Sequence, residues 1–325
     1  MRLSIVVPCF NEESSLEPLH EALTAATTGL TDDLEVVLVD DGSTDGTLTV
    51  MRRLAAADSA VRYTSFSRNF GKEAAMLAGL RRATGDAVVV LDADLQHPPH
   101  LLPRMIALYQ QGYDQVIACR DRRGEHMTRR YATRLFYRTV NRLIDVRLHD
   151  GAGDFRLLSR PAVDAILALP EYNRFSKGIF SWIGFNTFVL PFPNETRQAG
   201  ASKWSFGKLV NYAIDGVLSF NNKPLRLAIY AGLLQTLLAT GYAAWVIAHS
   251  IIEGIDMPGY TTIITAVVGM SGIQMMILGV IGEYIGRIYY ETKRRPHFLV
   301  KETDRGARGE SRNQDETVDL TASAA

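Results

Sequence analysis

The sequence predicts an α/β domain on a mostly parallel sheet with helices on both faces, followed by interfacial helices and a two-helix transmembrane hairpin. Three observations carry this. Short β-type runs alternate with helical patterns over the first 120 residues, as in a sheet whose strands are joined by crossover helices. Residues 227–252 and 257–282 are two runs of 26 residues with no Lys, Arg, Asp or Glu, each longer than the ~20 apolar residues that span a bilayer. Acidic residues gather where the strands end, which is where open α/β sheets bind ligands.

The strands are expected at residues 3–7, 35–39, 61–66, 87–91 and 115–118, with helices near 13–26, 47–57, 72–83 and 101–111 between them. The first strand runs into Pro8-Cys9-Phe10-Asn11-Glu12-Glu13. The second ends in Asp40-Asp41-Gly42-Ser43-Thr44-Asp45-Gly46, and the fourth in Asp92-Ala93-Asp94-Leu95-Gln96.

The chain has 325 residues, 47% hydrophobic, with 35 basic and 35 acidic side chains. Those averages exclude a disordered chain, a collagen and a strongly basic nucleic-acid binder. The charge is nevertheless unevenly placed. Residues 1–115 hold 9 Lys/Arg against 16 Asp/Glu, and residues 116–226 hold 18 against 9. Cys9 and Cys119 lack CxxC or Cys/His spacing, so neither a disulfide framework nor a zinc site is expected. The N-terminus has no signal-peptide pattern.

Lys223 and Arg226 precede the uncharged runs, and Arg287, Lys293, Arg294 and Arg295 follow them. By the positive-inside rule the domain and both termini lie in the cytoplasm, on the cytoplasmic membrane. The expected organisation is a catalytic domain over 1–205, an interfacial helix over 206–224, membrane helices over 225–252 and 257–290, a loop at 253–256, and a tail over 291–325. From Glu302 onward that tail reads as disordered. In 206–220 apolar residues repeat at three and four. In 129–144 Arg130, Arg134, Arg138 and Arg142 recur every fourth residue beside an apolar stripe, which suits an anionic lipid surface or a solvated helix face.

Neither GxGxxG after the first strand nor GxxxxGK[ST] occurs, which counts against a dinucleotide fold and a P-loop. Carboxylates crowded in one cleft raise one another's pKa and invite a cation. Asp92 and Asp94, two apart, with the Gln96 amide oxygen, offer hard ligands for Mg²⁺ or Mn²⁺. Asp-x-Asp alone is equally a turn or helix-cap pattern.

Taken together, the motifs above with Ser67-Arg68-Asn69-Phe70-Gly71-Lys72, Gly153-Asp154-Phe155-Arg156, Gly200-Ala201-Ser202-Lys203-Trp204 and residues 282–289 resemble the inverting glycosyltransferases of family 2. Within that family the set is similar to the polyprenyl-phosphate glycosyltransferases, especially the bactoprenol glucosyltransferase branch. The resemblance implies the GT-A fold and a nucleotide-sugar donor, with UDP-glucose favoured and another hexose or aminosugar as the alternative. It also implies a polyprenyl phosphate acceptor, a homo-oligomer, and no nucleic-acid partner. Pro8, Asn11, Glu12, Asp41, Lys72 and Asp92 would bind the nucleotide sugar, and Asp92, Asp94 and Gln96 the metal. Arg120, Arg130, Arg134, Arg156 and Lys203 would face the acceptor phosphate. Asp154 is the candidate catalytic carboxylate, as the base the family implies or as an orienting partner for an arginine. His97 stands where relatives often carry an acidic or amide residue. The competing class is a non-catalytic, membrane-anchored protein that kept the fold. A processive polysaccharide synthase is disfavoured, since no Gln-x-x-Arg-Trp motif is present.

Overall fold

The computed structural model describes residues 1–31, 33–120, 151–193, 223–253 and 259–304. They form two compact units. The first, described by residues 1–31, 33–120, 151–193 and 296–304, holds an eight-stranded sheet of order β7-β5-β6-β4-β1-β2-β3-β8. In chain order its elements are β1 Arg2–Cys9, α1 Leu16–Thr27, β2 Asp33–Asp40, α2 Thr47–Ala57, β3 Val61–Phe66, α3 Lys72–Arg82 and β4 Ala87–Val90. These are followed by α4 Leu102–Gln110, β5 Gln115–Arg120, β6 Ala152–Ser159, α5 Arg160–Leu167, α6 Ser176–Trp182, β7 Thr187–Phe192 and β8 Val300–Thr303. Only β6 and β8 run against the other six.

The expected mostly parallel sheet with helices on both faces is thus present. β1 is central, pairing in parallel with β2 on one side and β4 on the other. Its residues from Leu3 to Cys9 are all buried, as a strand covered on both faces requires. Leu3, Ile5 and Val7 join the core with Leu16, Leu19, Leu23, Met51 and Met105 from α1, α2 and α4. On the opposite face α3 packs on β1 and β2. A Cβ at Gly79 would stand 2.2 Å from Val6 Cγ1, so the bare Cα sets how closely α3 approaches the sheet.

The strand order reverses at β1, which opens a crevice at the carboxyl ends of β1, β2 and β4. α1 begins at Leu16 rather than near 13, because the backbone and side chains before it are committed elsewhere. Glu12 N–H donates to Thr47 Oγ1 at 2.9 Å, and Glu13 Oε2 accepts from Gly46 N–H at 3.0 Å. β6, α5, α6 and β7 lie beyond the span over which strand and helix patterns alternate in the sequence. α5 nevertheless has a legible start, with Ser159 accepting from Ala162 N–H at 3.3 Å and Pro161 in its first turn, a standard N-terminal cap.

The tail needs a correction. Glu302 and Thr303, expected to begin a disordered tail, lie in β8, which pairs antiparallel with β3. Glu302 accepts from Arg52 Nε at 2.7 Å and Nη2 at 2.6 Å and from Tyr63 Oη at 2.7 Å. Asp304 accepts from Arg82 Nη2 at 2.6 Å, and Phe298 stacks on Phe66 with centroids 4.8 Å apart. Polar composition hid this, because Glu302 and Asp304 meet Arg52 and Arg82 on the body of the domain. The first unit therefore extends past the expected limit at 205 to take in 296–304.

The second unit contains α7 Lys223–Glu253 and α8 Tyr260–Lys293, of 31 and 34 residues, packed on each other. Leu233, Leu237, Trp245, Ile251, Ile263 and Met275 are exposed along them. Among the described residues no helix is long and apolar enough to cross a membrane, so the expected transmembrane hairpin stands on the sequence alone. The segments 129–144 and 206–220, expected as interfacial helices, lie outside the described residues.

Candidate functional site

The crevice holds a pocket of about 400 Å³. Pro8, Phe10 and Glu12 line it from the end of β1, Asp41 from β2, and Asp92 and Asp94 from β4; Asn69, Gly71 and Lys72 close it from the start of α3. Parallel neighbours pointing the same way deliver these loops to one sheet edge. Of the expected donor-binding residues, Pro8, Glu12, Asp41, Lys72 and Asp92 line this pocket together.

Asn11 is not among the lining residues. It adopts φ 56°, receives Thr44 N–H on Oδ1 at 2.9 Å, and gives its own N–H to Ser43 Oγ at 3.0 Å. Its work is to tie the loop after β1 to the loop after β2. Asp41 is buried, and its carboxylate receives Phe70 N–H at 2.7 Å and Gly71 N–H at 2.9 Å. Burial raises its pKa against those hydrogen bonds. Gly42, at φ +68°, lies so close to the Arg68 carbonyl carbon that a Cβ would come within 2.3 Å. Asp41 and Gly42 together lock the loop carrying Asn69 and Gly71 onto the end of β2.

At the far wall Lys72 Nζ stands 2.5 Å from Asp92 Oδ1 and 2.5 Å from Asp154 Oδ2. The Asp154 side chain is 15% exposed and that of Lys72 43%. Burial pushes the Asp154 carboxyl up, but Lys72, Lys177 and Arg156 outweigh it and hold it at about 2. For Lys72 burial disfavours the charge, and Asp154 and Asp92 more than restore it, so its pKa rises.

His97 was missed as a positioning group. It is buried and stacked on Phe155 with centroids 5.2 Å apart, and its Nδ1 accepts Asp92 N–H at 3.1 Å. Burial lowers its pKa, so a neutral ring steadies the backbone of Asp92.

Gln96 and Arg156 depart from expectation. Gln96 Oε1 and its carbonyl accept from Arg120 Nη2 at 3.3 and 3.2 Å, so its amide oxygen faces a cation instead of joining the carboxylates. Arg156 is 2% exposed, with its guanidinium 3.8 Å above the Phe180 ring and Nη2 on the Gly153 carbonyl at 2.9 Å. A phosphate could reach it only by displacing that packing. Arg120 stands at the end of β5 beside Gln96. Arg130, Arg134 and Lys203 lie outside the described residues.

Among the described residues no group of three or more His, Cys, Asp or Glu side chains could hold a metal ion. Asp92 and Asp94 still present hard oxygens to one pocket. Two carboxylates are the kind of hard oxygen donor that Mg²⁺ or Mn²⁺ takes.

Residues 4–167 match the family described as Glycosyl transferase family 2, and residues 223–288 match the GtrB C-terminal hairpin. Over 302 residues, 93% of this chain, the protein CsbB of Bacillus subtilis (strain 168) is 51% identical, with 92% of its own length covered. The bactoprenol glucosyl transferase of Shigella phage SfX is 41% identical over 302 residues, 93% of this chain and 99% of that protein. The prophage bactoprenol glucosyl transferase homolog of Escherichia coli (strain K12) is 40% identical over the same shares of the two chains.

Proposed function

The chain belongs to glycosyl transferase family 2, and from that premise we propose that it moves glucose from UDP-glucose to a polyprenyl phosphate such as undecaprenyl phosphate, inverting the anomeric carbon. The observation that carries the proposal is the meeting of Lys72, Asp92 and Asp154 beside a pocket whose other lining residues come from the ends of β1, β2 and β4 and from the start of α3. The names of the phage and prophage relatives support the acceptor class and the sugar.

Asp92 and Asp94 would hold a divalent ion, which when bound neutralises the donor diphosphate. His97 keeps Asp92 in place through its backbone. The pocket loops, locked by Asp41, receive the nucleotide. A phosphate monoester is largely dianionic near neutral pH, so the acceptor needs placing more than deprotonating. A phosphate oxygen attacks C1 from the face opposite the leaving group. The C1–O bond breaks, and nucleoside diphosphate departs with the electron pair. The Lys72 ammonium beside Asp154 favours its ionised form. The role of Asp154 in this reading is to hold the Lys72 ammonium at the reacting edge. Arg120, and Arg130, Arg134 and Lys203 by sequence, are the candidate cations for the acceptor phosphate.

The two long helices are proposed as the membrane hairpin. The support is in the sequence: the runs 227–252 and 257–282 carry no charge, and each exceeds the ~20 apolar residues that span a bilayer. Basic residues outside the runs put the domain and both termini on the cytoplasmic side.

The test is incubation with UDP-glucose, undecaprenyl phosphate and Mg²⁺ or Mn²⁺. The expected product is a chloroform-extractable glucolipid. Product only with another nucleotide sugar would overturn the glucose assignment, and product with none would overturn the activity.

A further inference from the structure

Glu73 follows Lys72 in the first turn of α3, yet it points to a different element. Its Oε2 accepts Ser176 N–H at 3.1 Å and also the Ser176 hydroxyl. Ser176 is buried and is the first residue of α6. The carboxylate therefore satisfies an N–H that the start of a helix leaves without an intrahelical partner, and joins α6 to α3. α6 has further anchors: Phe180 lies under the Arg156 guanidinium, and its carbonyl accepts from Gln115 Nε2 at 3.1 Å.

The neighbours of this joint make it more than a cap. Lys72, before Glu73, contacts Asp154. Lys177, after Ser176, bears electrostatically on the same Asp154. Asp154 and Arg156 lie two apart on β6, on one face of the strand. One side-chain joint thus sits between the two lysines that act on one carboxylate.

We propose that Glu73 is a positioning residue for sugar transfer, which by holding Ser176 fixes α6 against α3 so that Lys72 and Lys177 keep their places about Asp154. This rests on the transferase reading above for its consequence in turnover, and on geometry for the placement of Lys72 beside Asp154 and of Lys177 next to Ser176. The function needs the acceptor oxygens of Glu73 and not its charge, so Gln serves where Ala does not.

The experiment uses the full chain in detergent and two readouts. Amine labelling by acetic anhydride, followed by mass spectrometry, reads Lys72 and Lys177 against the exposed Lys301. In the wild type and in Glu73→Gln, Lys72 and Lys177 are expected to label more slowly than Lys301. In Glu73→Ala they approach the rate of Lys301, and in Ser176→Ala the change is intermediate because the backbone N–H remains. In the transfer assay Glu73→Ala is expected to lower kcat by roughly tenfold or more with KM for the nucleotide sugar within about threefold, the pattern of an interaction made in the transition state. Glu73→Gln stays near the wild type. Unchanged labelling of both lysines in Glu73→Ala would overturn the proposal, as would a Gln variant as impaired as the Ala variant. If Glu73→Ala does not fold, Ser176→Ala decides on the same two readouts. If the wild type forms no glycolipid, the transferase reading fails, while the labelling contrast still decides whether Glu73 places the lysines.

Discussion

Lys72 and Asp154, 82 residues apart in sequence, meet at 2.5 Å, and the same ammonium reaches Asp92 at 2.5 Å. One cation therefore spans the carboxylates of β6 and of the loop after β4, which belong to adjacent antiparallel strands. Replacing Lys72 by Met leaves two carboxylates facing each other without a cation. Turnover is expected to fall about 100-fold, the usual scale for removing one electrostatic group from a reaction centre. Arg is expected to restore only part of it, since a planar fork does not replace a point charge held between two oxygens. Steady-state kinetics on both variants checks this.

Asp94→Asn removes one hard, charged ligand from the proposed pair and leaves the turn in which Asp94 Oδ1 accepts Gln96 N–H at 3.2 Å. Activity is expected to drop at least 100-fold with the thermal midpoint preserved. Calorimetric titration with UDP in the presence of Mn²⁺ is expected to lose its metal-dependent component. Gln96→Ala is expected to be far milder, since that amide faces Arg120.

Asp41→Ala withdraws the acceptor from two backbone N–H groups, Phe70 and Gly71. Leaving these part-buried donors without that acceptor costs at most about 1–3 kcal/mol each, the figure for buried ones, and the loop that closes the pocket is released. Weaker UDP binding by calorimetry, together with a lower denaturation midpoint, is expected. Asp41→Asn, which keeps one acceptor oxygen, should fall between.

The Glu302 clasp gives a pH signature. Its hydrogen bonds with Arg52 hold the carboxyl at about 2, below the ordinary 4.5. A lowered folded pKa means stability that is present above 4.5 and is lost as pH falls from there toward 2. The urea midpoint of the wild type is therefore expected to decline more steeply than that of Glu302→Gln between pH 6 and pH 3. Parallel curves would exclude the clasp as the source.

Gly79→Ala places a methyl 2.2 Å from Val6 Cγ1. Overpacking a buried helix–sheet contact costs about 1–3 kcal/mol, and the denaturant midpoint is expected to fall accordingly.

Much of the first 120 residues was legible, because alternation of strand and helix patterns is a local signal. Residues 47–57 and 61–66 fold over the expected spans. The gathering of Asp41, Asp92 and Asp94 at one edge was also legible, since a parallel sheet sends its strand ends to the same side. What a linear reading lacks is where a side chain points. Gln96 and Asp94 stand two apart on one loop, yet the Gln96 amide turns to Arg120. Arg156 reads as a phosphate cation until its strand position places it over Phe180. Glu302 and Asp304 read as solvated tail because their partners, Arg52 and Arg82, are more than 200 residues away. Ion pairs over that distance leave no periodicity to detect.

The return of the chain along β3 also bears on how the first unit can be isolated. β8 occupies the outer side of β3 over Thr64 to Phe66, and Leu299 takes the Ser67 N–H at 2.9 Å. A chain stopped before Pro296 bares that row of backbone donors and acceptors. A bared edge strand is a template for pairing with another copy. A truncation that simply deletes everything from the long helices onward is thus expected to self-associate. A version that discards the helices but grafts 296–304 back through a flexible linker is expected to stay monodisperse at the same concentration.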